Sequence, residues 1–247
     1  MLHWTNWGAS TLAAFLASFV EGVEALTIVL AVGVTRGWRS ALIGVAAALV
    51  ALIVAVALFG PMLTRFPIPL AWLQLALGLF LLGFGMKWLQ KAVLRAAGRI
   101  PLHDEARIYE RQARQFAAAT PAPRGLDPVS FAACFKAVLV EGMEVVLIVV
   151  AVGAGQASFV PSSVGAMAAL LLVVALGVLL HRPLTRVPEN GLKFGVGVLL
   201  SAFGVFWIGE GGGAHWPGGD LAILSLAAAI FAAALLAVRI AKAPNAP

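Results

Sequence analysis

Seven apolar segments dominate this chain, and each is long enough to cross a lipid bilayer. The hydrocarbon core of a membrane is spanned by about 20 apolar residues of helix. Segments of that length lie near residues 10–34, 41–60, 68–88, 130–154, 162–181, 191–209 and 220–240. Backbone groups in lipid must find hydrogen bonds within their own segment, so all seven are expected to be helices. The sequence therefore predicts an all-α integral membrane protein with seven transmembrane helices.

The composition agrees with a membrane protein of many spans. Hydrophobic residues make up 62% of the chain and charged residues 11%, whereas a soluble domain is about a quarter charged. The single cysteine, Cys134, has no partner for a disulfide within this chain. The first ten residues contain no Lys or Arg, and the first apolar segment carries two glutamates, so we do not expect a cleaved signal peptide.

Lys and Arg are distributed very unevenly between the two sides of the predicted membrane. The N-terminal arm and the connections after the second, fourth and sixth segments hold only Arg65, whereas the other connections and the C-terminus, together with the segment ends that adjoin them, hold 15 of the 17 Lys and Arg residues. Cytoplasmic loops are the ones enriched in Lys and Arg. We therefore expect a multi-pass protein of the cell (cytoplasmic) membrane, with its N-terminus outside and its C-terminus in the cytoplasm. Because topology explains the positive charge, no nucleic-acid partner is expected.

One phrase occurs twice, in the first and the fourth apolar segments. Residues 20–33 read VEGVEALTIVLAVG and residues 140–153 read VEGMEVVLIVVAVG, with nine of 14 positions identical at an offset of 120. The correspondence continues further along both halves, with LTRFP at 63–67 matched by LTRVP at 184–188. Three segments per copy is an odd number, so the second copy is inserted upside down relative to the first. Two inverted three-helix repeats plus one extra C-terminal helix are predicted, an architecture common among transporters.

The repeats divide the chain into five parts. These are a first three-helix repeat at 10–88, a cytoplasmic basic linker with an amphipathic helix at 89–129, a second inverted repeat at 130–209, an outer Gly-rich loop at 210–219 and a seventh helix at 220–241.

Four glutamates are the candidate functional residues. Glu21 and Glu24 in the first copy, and Glu141 and Glu144 in the second, are three residues apart, which places each pair on one side of a helix. A charged residue at membrane depth costs about 2.5–3.5 kcal/mol even on the lenient insertion scale, and such residues are usually functional. Carboxylate oxygens suit hard cations such as Mg²⁺, Ca²⁺, Mn²⁺ or iron. The sequence predicts a metal site at the midplane, where metal binding would release protons.

Other interpretations of the glutamates remain open. They could pair with basic residues and only hold helices together, although Lys136 is the sole basic residue in either motif helix. They could also form the cation site of a sensor or an assembly subunit that does not transport. No H-E-x-x-H helix or serine–histidine pair lies in the predicted spans, so we expect neither an enzyme nor a cofactor apart from the transported cation.

Several weaker features accompany the motif. Glycines are dense in the third and sixth segments, which favours close helix packing, and Gly22 and Gly142 are predicted to let a facing helix or an ion approach the backbone. Glu210, His215 and Asp220 are best explained as parts of a polar outer turn. Tryptophans are expected in belts at the two membrane surfaces; they are Trp4, Trp7, Trp207 and Trp216 outside, and Trp38 and Trp88 inside.

The glutamate motifs resemble those of a known family. VEGVE at 20–24 and VEGME at 140–144 are similar to the REGLE-type motif on the first and fourth helices of the oxidase-dependent iron permeases, with Val20 and Val140 where that family has arginine. The resemblance implies seven helices, an outside N-terminus and an iron-liganding role for Glu21, Glu24, Glu141 and Glu144. It also implies iron transport, with an oxidase or a periplasmic metal-delivery protein as a candidate partner.

A second family is similar in layout but poorer in its motif. The manganese/calcium–proton exchangers of the Golgi type also use two inverted three-helix units, each with an E-x-G-D motif, whereas the glycine here comes one place earlier and the second acid is glutamate. Exchange of Mn²⁺ or Ca²⁺ against protons is therefore the alternative expectation.

Overall fold

The computed structural model of the protein describes residues 4–65, 69–118, 125–154, 159–180 and 189–242. Within these ranges the chain is helical and contains no strand, which confirms the prediction of an all-α protein. The end of the first LTR motif and the whole of the second, at 184–188, lie outside the described residues.

Eight α-helices and one 3₁₀ turn follow one another along the described chain. The helices are α1 (Trp4–Arg36), α2 (Trp38–Arg65), α3 (Leu70–Ala96), α4 (Glu105–Ala118), α5 (Pro128–Ala154), α6 (Val160–Leu180), α7 (Glu189–Gly211) and α8 (Ala222–Lys242), with the 3₁₀ turn at Gly219–Leu221 before α8.

Six of these helices are long and apolar enough to cross a membrane, namely α1, α2, α3, α6, α7 and α8. The protein is thus suited to a multi-pass membrane location. Helix α5 has 27 residues but is not among the six, and it contains Lys136, Glu141 and Glu144. Helix α5 thus carries half of the predicted site.

Helices α3 and α7 form the most extensive pairing among the described helices, and they meet through glycines. A Cβ atom on Gly78 would lie 3.0 Å from the carbonyl oxygen of Gly204, and a Cβ on Gly85 would lie 3.0 Å from that of Gly197. The predicted close packing is therefore found at these four glycines, where missing side chains let two backbones meet. Because the higher-numbered glycine of α3 faces the lower-numbered one of α7, the two helices run in opposite directions.

Two further pairings, α1 with α6 and α2 with α5, complete the centre of the fold. Gly44 of α2 lies against the backbone of Phe131, and Leu52 of α2 lies against Gly142, so α2 and α5 run in the same direction. In α1 and α6, Gly22 lies against Val173 and Leu26 against Gly177, again with the same direction. Helix α1 also packs against α5. Because α1 and α2 form a hairpin and α2 runs in the same direction as α5, α1 and α5 run in opposite directions.

The tryptophans of α3 and α7 depart from the predicted membrane belts. Trp88 and Trp207 are buried in the main hydrophobic core with Leu81, Phe203 and Phe206. These two indoles are enclosed by the bundle and do not face outward as belt tryptophans do, while their depth in the membrane stays a prediction. Trp7 and Trp38, by contrast, are exposed on the bundle.

Helix α4 lies in the linker and differs from the apolar helices. Asp104 precedes it, and a side-chain oxygen of Asp104 accepts a hydrogen bond from the backbone N–H of Arg107 at 3.2 Å, as an N-cap residue does. One face of α4 is partly buried through Ile108 and Phe116, and the other exposes arginines and Glu110. This helix packs against α1.

Candidate cation site

Glu21 and Glu24 lie near the middle of α1, on one side of the helix as their spacing requires. The bundle encloses Glu21 almost completely, leaving 2% of the residue exposed. The Glu24 side chain is 23% exposed. A buried carboxylate needs a compensating charge or hydrogen bonds, so the surroundings of these two residues determine what they can do.

Glu141 lies at the middle of α5, on the helix that runs opposite to α1. Single carboxylate oxygens of Glu21, Glu24 and Glu141 all lie within 4.8 Å of one another. That arrangement brings acids from two separate helices to one point, close enough for one cation to contact all three. Carboxylates this close repel each other strongly in a poorly solvated site, so a cation or protons must offset their charge.

Glu144, the fourth predicted ligand, is not part of this tight group of three. It lies one turn beyond Glu141 and interacts electrostatically with Glu24, as well as with Lys87 on α3 and Lys193 on α7. We call Glu21, Glu24, Glu141 and Glu144 the acidic cluster. Three of its members converge, and the fourth lies within electrostatic reach.

Lys193 is a member of the site that sequence reasoning missed. Its ammonium nitrogen forms an ion pair with Oε1 of Glu24, and the lysine side chain is only 13% exposed. The same nitrogen lies 5.6 Å from the ring centroid of Trp88. The sequence alone groups Lys193 with the basic residues on the cytoplasmic side, whereas it is the fifth residue of α7 and is largely buried in the bundle. The one available clue was its position within an apolar segment.

A buried hydroxyl stands next to the glutamates of α1. Ser18 lies one turn before Glu21, is 4% exposed, and its Oγ has no hydrogen-bond partner among the described residues. Residues three apart share a helix face, so Ser18 and Glu21 face the same region. Thr27 differs because its hydroxyl donates to the carbonyl oxygen of Val23 at 3.0 Å. Ser18 is thus an additional neutral oxygen ligand candidate.

The two glycines of the motif have side chains of other helices against them. Gly22 lies against Val173 of α6, where a Cβ would be 3.0 Å from the nearest methyl, and Gly142 lies against Leu52 of α2. The facing helix therefore does approach each glycine, as predicted, but through an aliphatic side chain. We therefore assign these glycines a packing role.

Polar residues near the predicted outer end form a separate group. The side-chain amide of Gln74 donates to Oε2 of Glu210 at 3.0 Å, joining α3 to the end of α7. His215 and Asp220 interact electrostatically with Glu210. These contacts close the end of the bundle where α7 turns toward α8.

Asp127 forms a polar cluster at the opposite end, just before α5. It accepts hydrogen bonds from Arg36 at 2.5 and 3.2 Å, from the hydroxyl of Ser130 at 2.6 Å and from the backbone N–H of Val129 at 3.1 Å. The hydrogen bonds from Arg36 are the main reason why the pKa of Asp127 is held well below its usual range. Arg36 also donates to the carbonyl oxygen of Phe116 at 2.9 Å. This cluster ties α1, α4 and α5 together outside the acidic cluster.

Comparison of the chain with models of protein families, with curated proteins and with solved structures finds no match.

Proposed function

We propose that this protein is a membrane transporter of metal cations, with iron as the first candidate, and that the cation binds in the acidic cluster. The observation that carries the proposal is the convergence of Glu21, Glu24 and Glu141 from two helices, with oxygens within 4.8 Å of one another. Acids gathered inside an apolar bundle are costly unless a cation is bound or protons are held, and such residues in membrane helices are usually functional.

The ligand chemistry favours a hard divalent or trivalent cation. Three converging carboxylates, with Glu144 and the Ser18 hydroxyl nearby, offer only oxygen ligands, as Mg²⁺, Ca²⁺, Mn²⁺ and iron accept. The similarity of VEGVE and VEGME to the iron permease motif places iron first. Charge compensation by protons in the empty site would make metal entry release protons, so we include proton coupling in the proposal.

We further propose that α5 crosses the membrane as a seventh span. At about 1.5 Å per residue, its 27 residues are long enough to cross the bilayer. Its charged residues are the glutamates of the site together with Lys136 near its start. A span that lines an internal ion site is where such charges are expected.

The packing supports an inverted repeat of α1–α3 and α5–α7. Four contacts between helices each have a counterpart elsewhere in the fold. In the counterpart, both residues are replaced by the residues that lie 119 to 121 positions away in the other unit. The paired contacts are Gly44 to Phe131 and Gly165 to Thr11, Gly22 to Val173 and Gly142 to Leu52, Gly33 to Trp38 and Gly153 to Phe159, and Gly78 to Gly204 and Gly197 to Gly85. Opposite directions of α1 and α5 accord with a two-fold axis in the membrane plane.

This arrangement suggests how transport would proceed. The acidic cluster lies where α1 and α5 cross near their midpoints, between the two units. Rocking of one unit against the other would open the cluster first to one side and then to the other, which is the usual movement of inverted-repeat transporters. From the distribution of Lys and Arg, we place the protein in the cytoplasmic membrane with its N-terminus outside. An oxidase or a periplasmic metal-delivery protein is the proposed partner for an iron substrate.

Metal flux into proteoliposomes tests the proposal. Purified protein is reconstituted, and uptake of Fe²⁺, Fe³⁺, Mn²⁺ and Ca²⁺ is followed in parallel while internal pH is recorded. Glu21→Gln removes a buried member of the cluster, and Glu110→Gln serves as the control because Glu110 lies exposed on α4. We expect iron flux that Glu21→Gln abolishes and Glu110→Gln preserves.

The other outcomes separate the alternatives. Mn²⁺ or Ca²⁺ flux against protons, without iron flux, would assign the protein to the exchanger class. A bound ion with no flux of any metal would indicate a sensor or an assembly subunit. Flux that survives Glu→Gln changes at all four positions would refute the site.

A further inference from the structure

Lys193 places a fixed positive charge inside the acidic cluster. Its ammonium group is paired with Glu24, and it also interacts electrostatically with Glu141 and Glu144. Lys136, the basic residue of α5 itself, is exposed instead. Lys193 therefore supplies the cluster with positive charge from a third helix, α7.

A metal ion and the Lys193 ammonium group compete for the same ligand. Like charges a few ångströms apart repel strongly where water is scarce, and the oxygen of Glu24 that the ammonium group contacts is one that a cation in the cluster would use. Binding of a metal at Glu24 therefore requires the ammonium group to move away. The ring of Trp88, already 5.6 Å from the lysine nitrogen, offers a place for it, since aromatic faces attract cations.

The corresponding position in the first unit carries no charge. Lys193 of α7 matches Gln74 of α3 at the offset of 119 that also relates Gly197 to Gly78. The Gln74 amide donates to Glu210 near the opposite end of the bundle. The two halves of the fold thus differ at equivalent places: one carries an ammonium group bound to the cluster, and the other a neutral amide bound outside it.

We propose that Lys193 is a tethered cation that occupies Glu24 in the empty site, is displaced by the transported metal, and returns to Glu24 when the metal leaves. This inference rests on the proposed function and adds a residue that sets metal affinity and release. Lys193 binds no metal itself and acts through the position of its ammonium group.

The test is equilibrium binding of Fe²⁺, held anaerobically, and of Mn²⁺ in parallel, to the purified full chain in detergent. Displacing a hydrogen bond between charged groups is a substantial cost, so Lys193→Gln should bind metal at least about tenfold more tightly. Lys193→Arg keeps a cation and should stay near the wild-type affinity. Lys136→Gln removes one exposed charge outside the cluster and should also leave the affinity unchanged. In a Glu24→Gln background, Lys193→Gln should change the remaining metal affinity much less, because the ion-pair partner of Lys193 is already gone.

A chemical footprint gives a second measurement on the unmutated protein. Acylation of Lys193 by an amine-reactive reagent, compared with acylation of Lys136, should rise when metal is added and the ammonium group leaves Glu24. A purely structural ion pair would show no such change. An unchanged affinity in Lys193→Gln, or a footprint unaffected by bound metal, would overturn the inference.

Failure of this inference differs from failure of the proposed function. If the wild type binds metal, Glu21→Gln loses it and Lys193→Gln changes nothing, the cation site stands and the tethered-cation role is refuted. If the wild type binds neither metal, and also neither Fe³⁺ nor Ca²⁺ in the same assay, both proposals are refuted.

Discussion

Glu21 and Glu141 lie 120 positions apart in the chain and on two helices of opposite direction, yet their carboxylate oxygens come within 4.8 Å of each other. This relationship follows from the way in which α1 and α5 cross near their midpoints. Each glutamate occupies the same place in its own copy of the repeated phrase. Their convergence is the basis of the cation site proposed above.

The buried Ser18 hydroxyl should contribute to metal affinity at a cost to the empty protein. An unpaired buried hydroxyl destabilises a protein by about 1–3 kcal/mol, so Ser18→Ala should raise the melting temperature of the metal-free protein. If Ser18 is an oxygen ligand, the same change should weaken metal binding. Thermal unfolding and metal titration on one preparation measure both effects.

Ser10 provides the matched control for that experiment. Its hydroxyl is also buried and has no partner among the described residues, but it lies about three turns from Glu21. Ser10→Ala should raise the melting temperature without altering metal affinity. Equal affinities for the two alanine variants and the wild type would exclude Ser18 as a ligand.

Gly85 should not tolerate even a methyl group. A Cβ at this position would lie 2.7 Å from the backbone nitrogen of Ser201 on α7, so Gly85→Ala must push the two helices apart. Overpacking of this kind costs about 1–3 kcal/mol, which chemical unfolding in detergent would detect. Gly83→Ala is the control, because a Cβ there would have none of the described residues within 4 Å. Equal stability of the two variants would contradict the glycine-mediated contact.

The pairing of α1 with α6 can be tested by cross-linking. A Cβ on Gly22 would lie 3.5 Å from the Cβ of Val173, within the range of about 3.5–4.5 Å that disulfides use. In a Cys134→Ala background, Gly22→Cys with Val173→Cys should form a disulfide on mild oxidation, detected by mass spectrometry of linked peptides. Gly83→Cys with Val173→Cys should not form one. A cross-link in the second pair, or none in the first, would argue against this packing.

Stability should fall in acid because of Asp127. The Arg36 hydrogen bonds hold the pKa of Asp127 below its usual range in the folded protein. The stabilisation is therefore complete above the unfolded value, about 3.9, and disappears as pH falls through the lower folded value. Asp127→Asn should lose about 1.5–3 kcal/mol at neutral pH and should show less acid dependence than the wild type.

Glu110→Gln is the comparison for Asp127→Asn. Its ion pair with Arg114 is exposed on both sides, and such pairs contribute little. Unfolding followed from neutral pH to about pH 3 should leave this variant close to the wild type. Coincident acid profiles for the Asp127→Asn variant and the wild type would disprove the role of the Arg36–Asp127 pair.

The sequence identified the glutamates because a charge within an apolar segment is conspicuous whatever the fold. It could not identify Lys193 as their neighbour, because a lysine near the end of an apolar segment looks the same as one that determines topology. Only the packing of α7 against α1 distinguishes the two. Ser18 was visible in the sequence, but its lack of a hydrogen-bond partner depends on what the other helices bring.

The helix packing was also predictable from the sequence only in part. A high density of glycines predicted close helix contact, yet Gly78 and Gly85 meet α7 whereas Gly83 meets nothing. Helical spacing alone does not say which face of α3 turns toward α7. The burial of Trp88 and Trp207 likewise depends on which faces the packed helices turn inward, which the sequence does not show.

The most direct measurement of the central claim is the number of metal ions bound per chain. Calorimetric or spectroscopic titration of the purified protein with Fe²⁺ should give one ion for the wild type. Glu21→Gln and Glu141→Gln lie on separate helices, and each should lose that same ion. The double variant should bind no fewer ions than either single variant. Binding that survives both changes, or a wild type that binds no metal, would contradict the account.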